Sequence, residues 1–144
     1  MFLGEFSYTL DSKSRLTIPA KYRELLAPTL IVTRNPTESC LMVLPMSTWT
    51  VLAEKLNSLP MADPGSALLR RIVFSAAEDL KPDGQGRILL SQRLRDFAGI
   101  GAEVLIAGVS SHLELWNPQQ WEEKVMSRLV NPEVNGEVFR ALGI

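Results

Sequence analysis

The sequence has little of the chemistry that metal sites and many enzymes use. Its 144 residues include one cysteine, Cys40, and one histidine, His112. A single cysteine excludes an internal disulfide framework, and its apolar neighbours LMVL indicate a small buried side chain. A lone histidine with no cluster of Cys, Asp or Glu around it in sequence offers no basis for a zinc site or a nucleophile–histidine pair. We therefore predict no metal, no cofactor and no enzymatic activity.

Long hydrophobic runs are also missing. Runs such as TLIV and AEVLIAGV are far shorter than the roughly 18–20 residues that span a bilayer. The N-terminal stretch MFLGEFSYTL has neither the basic region nor the long apolar core of a signal peptide. The hydrophobic content of 46% is nevertheless enough to build a packed core. We expect a soluble, cytoplasmic protein with no membrane partner.

A net positive charge is the third absence. The formal net charge of −1 argues against a generic nucleic-acid binder. The distribution of charge is uneven, however, because residues 10–23 and residues 81–95 each contain four basic residues and one acidic residue. Each of these two basic segments carries +3, and the rest of the chain therefore carries −7. The sequence predicts two basic patches on an acidic body.

The two basic segments contain the same motif. LDSKSRLTIP at residues 10–19 and PDGQGRILLS at residues 82–91 each place Asp four residues before Arg, ahead of an apolar run. The matching positions lie 72 residues apart and continue through the later strands and helix of each half: Asp11 and Asp83, Arg15 and Arg87, Arg23 and Arg95, Leu41 and Leu113, Trp49 and Trp121. Two copies are too few for a solenoid, so they favour a pseudo-symmetric pair of half-domains.

Each half has the same predicted order of elements. An alternating strand is followed by a turn, a short strand, a short helix, two further strands and an amphipathic helix. Asp at the head of each turn can accept hydrogen bonds from nearby backbone amides. The segment SALLRRIVFSAA between the halves predicts a linking helix. The domain boundaries we predict are 1–59 and 76–130 for the half-domains, 60–75 for the linker helix and 131–144 for a C-terminal tail.

Arginine at the base of a tight turn is well suited to reading DNA. Its planar fork can donate to guanine O6 and N7 together. This chemistry predicts Arg15 and Arg87 as base contacts, oriented by Asp11 and Asp83. The other cations would neutralise phosphates and set the register on the duplex. They are Lys13, Lys21, Arg23, Arg93 and Arg95.

A structural role for these charges is the competing interpretation. Each Asp–Arg pair could be an ion pair that holds the turn, with Arg kept inside the hairpin. Arg23 and Arg95 could be ordinary charges on a helix surface. The two interpretations are compatible, because an Asp that orients an Arg also pre-organises it for binding.

The paired D-x-x-x-R motif, the N-terminal MFLGEF and the stretch RLTIPAKYR closely resemble the MraZ family, bacterial regulators associated with the division and cell-wall gene cluster. The resemblance covers essentially the full chain. It implies an α+β, mostly β fold, in which a tandem pair of AbrB-like swapped-hairpin half-domains forms one double-psi or swapped-hairpin, barrel-like core with flanking helices.

The same resemblance implies a function. It implies a ring-shaped homo-oligomer, with an octamer as the expected size, that acts at the nucleoid. The expected partner is double-stranded DNA carrying short direct repeats upstream of the protein's own operon, and the expected role is that of a repressor.

Two other classes of function remain open from the residues. An antitoxin-like partner module of the same hairpin fold would need a toxin-binding tail, and the last 14 residues are a weak candidate with Val134, Val138, Phe139 and Leu142. An enzyme or ligand binder would need a perturbed carboxylate beside a cleft, which nothing in the sequence places. The GxG at residues 84–86 lacks the further glycine that opens a dinucleotide-binding helix, and no small-molecule substrate is evident.

Overall fold

The protein has a mixed α+β fold, seen in a computed structural model that describes residues 1–130 and 132–143. Eight strands lie within the described residues: β1 (Glu5–Thr9), β2 (Arg15–Thr17), β3 (Leu30–Arg34), β4 (Leu41–Pro45), β5 (Glu78–Leu80), β6 (Arg87–Leu89), β7 (Glu103–Gly108) and β8 (Leu113–Trp116). Six α-helices accompany them: α1 (Arg23–Leu26), α2 (Met46–Asn57), α3 (Pro64–Phe74), α4 (Gln92–Ala98), α5 (Pro118–Lys124) and α6 (Pro132–Arg140). The predicted order of elements in each half is confirmed.

Strands from the two halves share one sheet. Six strands pair in the order β1-β7-β8-β4-β3-β5, and every pairing is antiparallel. The first strand of each half pairs with a strand of the other half, since β1 lies beside β7 and β5 lies beside β3. The sheet is open, with β1 and β5 at its edges, so the predicted barrel-like closure is wrong for the described part of the chain.

A two-stranded ribbon, β2 paired with β6, lies outside this sheet. Its central pair is Leu16 opposite Ile88. In the six-stranded sheet the central pair of β4 and β8 is Met42 opposite Glu114. Both pairs join residues 72 positions apart, the spacing of the sequence repeat. A pseudo-twofold axis therefore passes through the middle of the ribbon and the middle of the sheet.

The main core lies between the ribbon and one face of the sheet. Leu16 and Ile88 are 0% and 2% exposed and point into it, because side chains alternate along a strand and their neighbours Arg15 and Arg87 point outward. The sheet contributes apolar residues from both halves to the same cluster: Leu30, Val32, Leu41, Val43, Val104, Ile106, Leu113 and Leu115.

The opposite face of the sheet carries two smaller clusters. Trp49 and Leu52 of α2 pack against Ile31, Met42 and Leu44. In the second half, the α5 residue Trp121 packs with Trp116, Ala107 and Cys40. Cys40 is fully buried, as predicted, and burial raises the pKa of its thiol above the ordinary value. The fold thus has three layers, with α2 and α5 on one face of the sheet and the ribbon, α1 and α4 on the other.

Local signals in the sequence fix the helix that links the halves and the last helix of the second half. Asp63 caps α3 by accepting from the Ser66 amide at 2.8 Å. Asn117 caps α5 by accepting from the amides of Gln119 and Gln120. In both helices proline occupies the first turn, where its missing N–H costs no hydrogen bond.

The linker helix α3 falls within the predicted segment 60–75. The domain boundaries stay a prediction. Residues 131 and 144 of the predicted tail lie outside the described residues. Within the described residues, no helix is both long enough and apolar enough to cross a membrane.

The N-terminus is anchored across the end of β7. Phe2 is 3% exposed and exchanges backbone hydrogen bonds with Ser110, and the Gly108 amide donates to the Gly4 carbonyl at 2.8 Å. A Cβ at Gly108 would lie only 2.5 Å from the Leu3 nitrogen and 2.6 Å from the Phe2 carbonyl carbon. Glycine is therefore required for this close approach of two backbones.

We expect Gly108→Ala to lower the free energy of unfolding by about 1–3 kcal/mol, since an atom is forced into a packed backbone contact. Urea denaturation measures the change. Gly101→Ala is the matched control, because a Cβ there meets nothing within 4 Å and should change stability by less than about 0.5 kcal/mol. Equal stability of the two variants would show that the N-terminal segment does not pack on β7.

Candidate nucleic-acid interface

The first turn is organised by one carboxylate. Asp11 Oδ1 accepts from the amides of Lys13 and Arg15, each at 2.9 Å. Its Oδ2 accepts from Arg15 Nε at 2.6 Å. The backbone closes around it, since the Asp11 amide donates to the Arg15 carbonyl and the Ser14 amide donates to the Asp11 carbonyl. Ser14 takes a positive φ of 60° to complete the turn.

The second turn repeats this geometry atom for atom. Asp83 Oδ1 accepts from the amides of Gln85 and Arg87, each at 2.9 Å, and its Oδ2 accepts from Arg87 Nε at 2.8 Å. Gly86 holds the positive φ of 75° that Ser14 holds in the first turn. The predicted acceptance of backbone amides by Asp is confirmed in both copies, and so is the Asp–Arg ion pair of the structural interpretation.

Pairing of β2 with β6 brings the two turns side by side. The Ile18 amide donates to the Gly86 carbonyl at 2.8 Å, and at the equivalent position the Leu90 amide donates to the Ser14 carbonyl at 3.1 Å. The Arg87 Nη1 atom lies 4.0 Å from Asp11 Oδ2, so the ion pair of one repeat also faces the cation of the other. Arg15 and Arg87 thereby form one cluster on the outer face of the ribbon.

The hydrogen bonds of these turns lower the pKa values of both aspartates. The backbone amide of Arg15 holds the pKa of Asp11 below its ordinary value, helped by the Arg15 side chain and the Lys13 amide. The Arg87 amide has the largest lowering effect on the pKa of Asp83. Both carboxylates are therefore ionised at neutral pH and hold the arginines in a fixed orientation.

The two arginines keep their forks available. Each uses Nε for its own aspartate, and neither has a hydrogen bond from a terminal Nη atom among the described residues. Their side chains are 29% and 27% exposed. Arg87 Nη1 has only the 4.0 Å approach to Asp11 Oδ2. A guanidinium held at Nε, whose Nη atoms make no hydrogen bond, can donate two parallel hydrogen bonds to an acceptor pair outside the protein.

Lys21 and Arg93 are equivalent in the repeat. Each contacts a residue of an edge strand and does not join the cluster of Arg15 and Arg87. Lys21 Nζ lies 4.8 Å from the ring centre of Phe6 on β1. Arg93 Nη2 lies 3.5 Å from Glu78 of β5, and its Nη1 donates to the Ser75 carbonyl. Both side chains remain exposed.

Arg23 and Arg95 follow the ends of the ribbon strands. Arg23 Nε donates to the Ile18 carbonyl and Arg95 Nε to the Leu90 carbonyl, each at 3.0 Å. The Arg23 guanidinium also covers Gly86, where an added Cβ would lie 2.7 Å from Arg23 Cζ. These arginines are therefore more than helix-surface charges, since each caps the strand that leads away from a turn.

Gln85 was missed in the sequence analysis. It is exposed at the tip of the second turn, where Lys13 stands in the first turn. The 72-residue offset alone identifies this equivalence. The second turn therefore presents an amide where the first presents an ammonium group, and the amide can both donate and accept.

The depressed pKa of each aspartate makes the turns sensitive to acid. The stabilisation is present above the unfolded-state value of 3.8 and is lost as pH falls through the lower folded-state value. We expect Asp11→Asn and Asp83→Asn to be less stable than the wild type at neutral pH, with the difference shrinking below about pH 4. Urea denaturation at a series of pH values measures it.

Asp79→Asn is the control for this pH series, because Asp79 is exposed and has no ion pair among the described residues. Its difference from the wild type should stay small and flat across the series. A constant deficit for Asp11→Asn at every pH would show that the ionised carboxylate does not hold the turn.

Fold and site together define a class: a tandem-repeat α+β protein in which two equivalent basic turns meet on a pseudo-twofold axis. Among the described residues, no group of three or more His, Cys, Asp or Glu side chains could hold a metal ion. The family model described as "MraZ protein, putative antitoxin-like" matches residues 1–72 and again residues 73–130.

Curated relatives agree over nearly the whole length. A protein of Roseiflexus castenholzii is 43% identical over 139 residues, which is 96% of this chain and 94% of the relative. A protein of Herpetosiphon aurantiacus is 40% identical over all 144 residues and the full length of both chains. Both are named transcriptional regulator MraZ. The chain belongs to the MraZ family, a family of transcriptional regulators and not of enzymes.

Proposed function

We propose that this protein is a DNA-binding transcriptional regulator that reads base edges with the paired turns. The observation that carries the proposal is the pair of guanidiniums, Arg15 and Arg87, each fixed at Nε by an aspartate and with no hydrogen bond from its terminal nitrogens to the described residues. Two such forks side by side match the O6 and N7 acceptors that guanines present in the major groove. Family membership supports a role in transcription.

The surrounding cations supply the sequence-independent part of binding. Lys13 is exposed at the tip of the first turn, and Lys21, Arg23, Arg93 and Arg95 lie along the flanking segments. Their role in this proposal is to contact phosphates and fix the register of the ribbon on the duplex. The acidic remainder of the chain, with its charge of −7, would face away from DNA.

A single ribbon has a small footprint, so we infer that several act together. A ring-shaped homo-oligomer, with an octamer as the expected size, would present many ribbons on one surface. Short direct repeats in a promoter would then be bound cooperatively, because each contact after the first is intramolecular. The inferred target is the promoter of the protein's own operon in the division and cell-wall cluster, where the bound protein represses transcription at the nucleoid of the cytoplasm.

A second candidate is an antitoxin-like module that binds a protein partner. The antitoxin-like character that the matching family model describes favours it. The C-terminal segment offers a surface, since Val138, Phe139 and Leu142 are all more than half exposed. The side chain of Val134 lies outside the described residues. The two candidates use different surfaces, so they can be separated by substitution.

We expect Arg15→Ala to remove specific binding to the upstream DNA while the protein stays folded and assembled. Loss of one bidentate contact costs about 1–3 kcal/mol per ribbon, and the loss is multiplied across an oligomer. Fluorescence anisotropy with the upstream duplex and an unrelated duplex measures the specificity, and size exclusion measures assembly.

Arg15→Lys and Arg71→Ala are the controls. Lysine keeps the charge but not the fork, so Arg15→Lys should retain weak binding and lose discrimination between duplexes. Arg71 is exposed on α3 outside the basic segments, so its removal should leave discrimination intact. Loss of assembly or of cooperative melting in Arg15→Ala would instead support a purely structural role for the Asp11–Arg15 pair.

Salt dependence tests the phosphate contacts separately. The logarithm of the binding constant should fall with the logarithm of salt concentration by about 0.9 for each phosphate neutralised. We expect Lys13→Ala to weaken binding to all duplexes and to reduce the slope by about 1. An unchanged slope would remove Lys13 from the phosphate contacts.

A further inference from the structure

The two repeats differ beside their turns. Beside the first turn, Leu10 of the first half and Ile100 of the second half are both buried in the main core. The Leu10 amide donates to the Ala102 carbonyl at 2.7 Å, and this hydrogen bond holds the two segments together. At the positions 72 residues away the chain has Pro82 and Pro28. Pro82 has no N–H to donate, so the equivalent hydrogen bond cannot form.

A cleft of about 300 Å³ lies beside Pro28 and Pro82. Its walls are apolar and belong to both repeats: Ile18, Leu26, Pro28 and Pro82. Segment 83–86 of the second turn forms one side, and Arg23 forms part of the other. A volume near 300 Å³ is at the lower end of small-molecule sites.

Two cations at this cleft have no acidic partner in the part of the chain that the structure describes. Arg23 uses only Nε, on the Ile18 carbonyl, and Lys81 has no ion pair or hydrogen bond among the described residues. The third charged residue, Asp83, is already satisfied by two amides and by Arg87. The free charge at the cleft is therefore positive, while its walls are apolar.

We propose that this cleft binds a small organic anion with an apolar body. The apolar part lies against Ile18, Leu26 and Pro82, and the acidic group faces Arg23 and Lys81. At the equivalent position Leu10 and Ile100 are buried in the main core, so we expect one molecule bound per chain. Ligand binding does not depend on the proposed DNA contact and is tested without DNA.

The aromatic sulfonate 8-anilinonaphthalene-1-sulfonate is a suitable probe, since it combines an apolar body with one anionic group. Fluorescence titration of the full-length protein should give one saturable site per chain. We expect Arg23→Gln and Lys81→Gln each to raise the dissociation constant about three- to tenfold, because each removes a charge-assisted contact. Arg95→Gln, the equivalent change in the second half, should alter it less than about twofold.

Pro82→Leu provides a test of shape. It places at position 82 the leucine found at the equivalent position 10. We expect it to abolish saturable binding, while circular dichroism and the melting transition remain those of a folded protein. Absence of saturable binding in the wild type would overturn the proposal. So would equal weakening by Arg23→Gln and Arg95→Gln, or full binding by folded Pro82→Leu.

Discussion

The pairing of β2 with β6 is the contact on which the rest of this structure depends. Each strand has only three residues, too few to be stable alone, and each finds its hydrogen-bond partner in the other repeat. The pairing places Leu16 and Ile88 in the core together, and alternation then forces Arg15 and Arg87 to the outside. The same pairing therefore buries one face of the ribbon and exposes the arginines on the other.

The aspartates convert this placement into a defined geometry. A free arginine side chain has many rotamers, and ordering it on binding costs free energy. Asp11 and Asp83 meet that cost within the fold, because each holds two backbone amides and one Nε at the same time. The ion pair and a binding role are therefore one arrangement, and the structural interpretation of the pair supports the functional one.

The sequence predicted what local chemistry and the repeat determine. The alternating strands, the Asp turns, the helix order and the Asp–Arg pairs all follow from patterns within about 20 residues. The offset of 72 showed which residues are equivalent, but equivalence does not show contact. The open sheet and the position of Arg23 over Gly86 depend on pairing between repeats, which no local pattern encodes.

In the sheet the two residues on the pseudo-twofold axis have diverged to Met42 and Glu114, but in the ribbon divergence between the repeats is constrained at the axis. There a residue faces its own equivalent, as Leu16 faces Ile88, so a change in either copy alters the same contact. Away from the axis, Leu10 and Pro82 occupy separate environments, and one can change without the other. A repeat protein can therefore keep two matching turns at its centre while one flank is closely packed and the other contains a cleft. The same fold thus combines the symmetric surface that we propose binds DNA with an asymmetric cleft beside it.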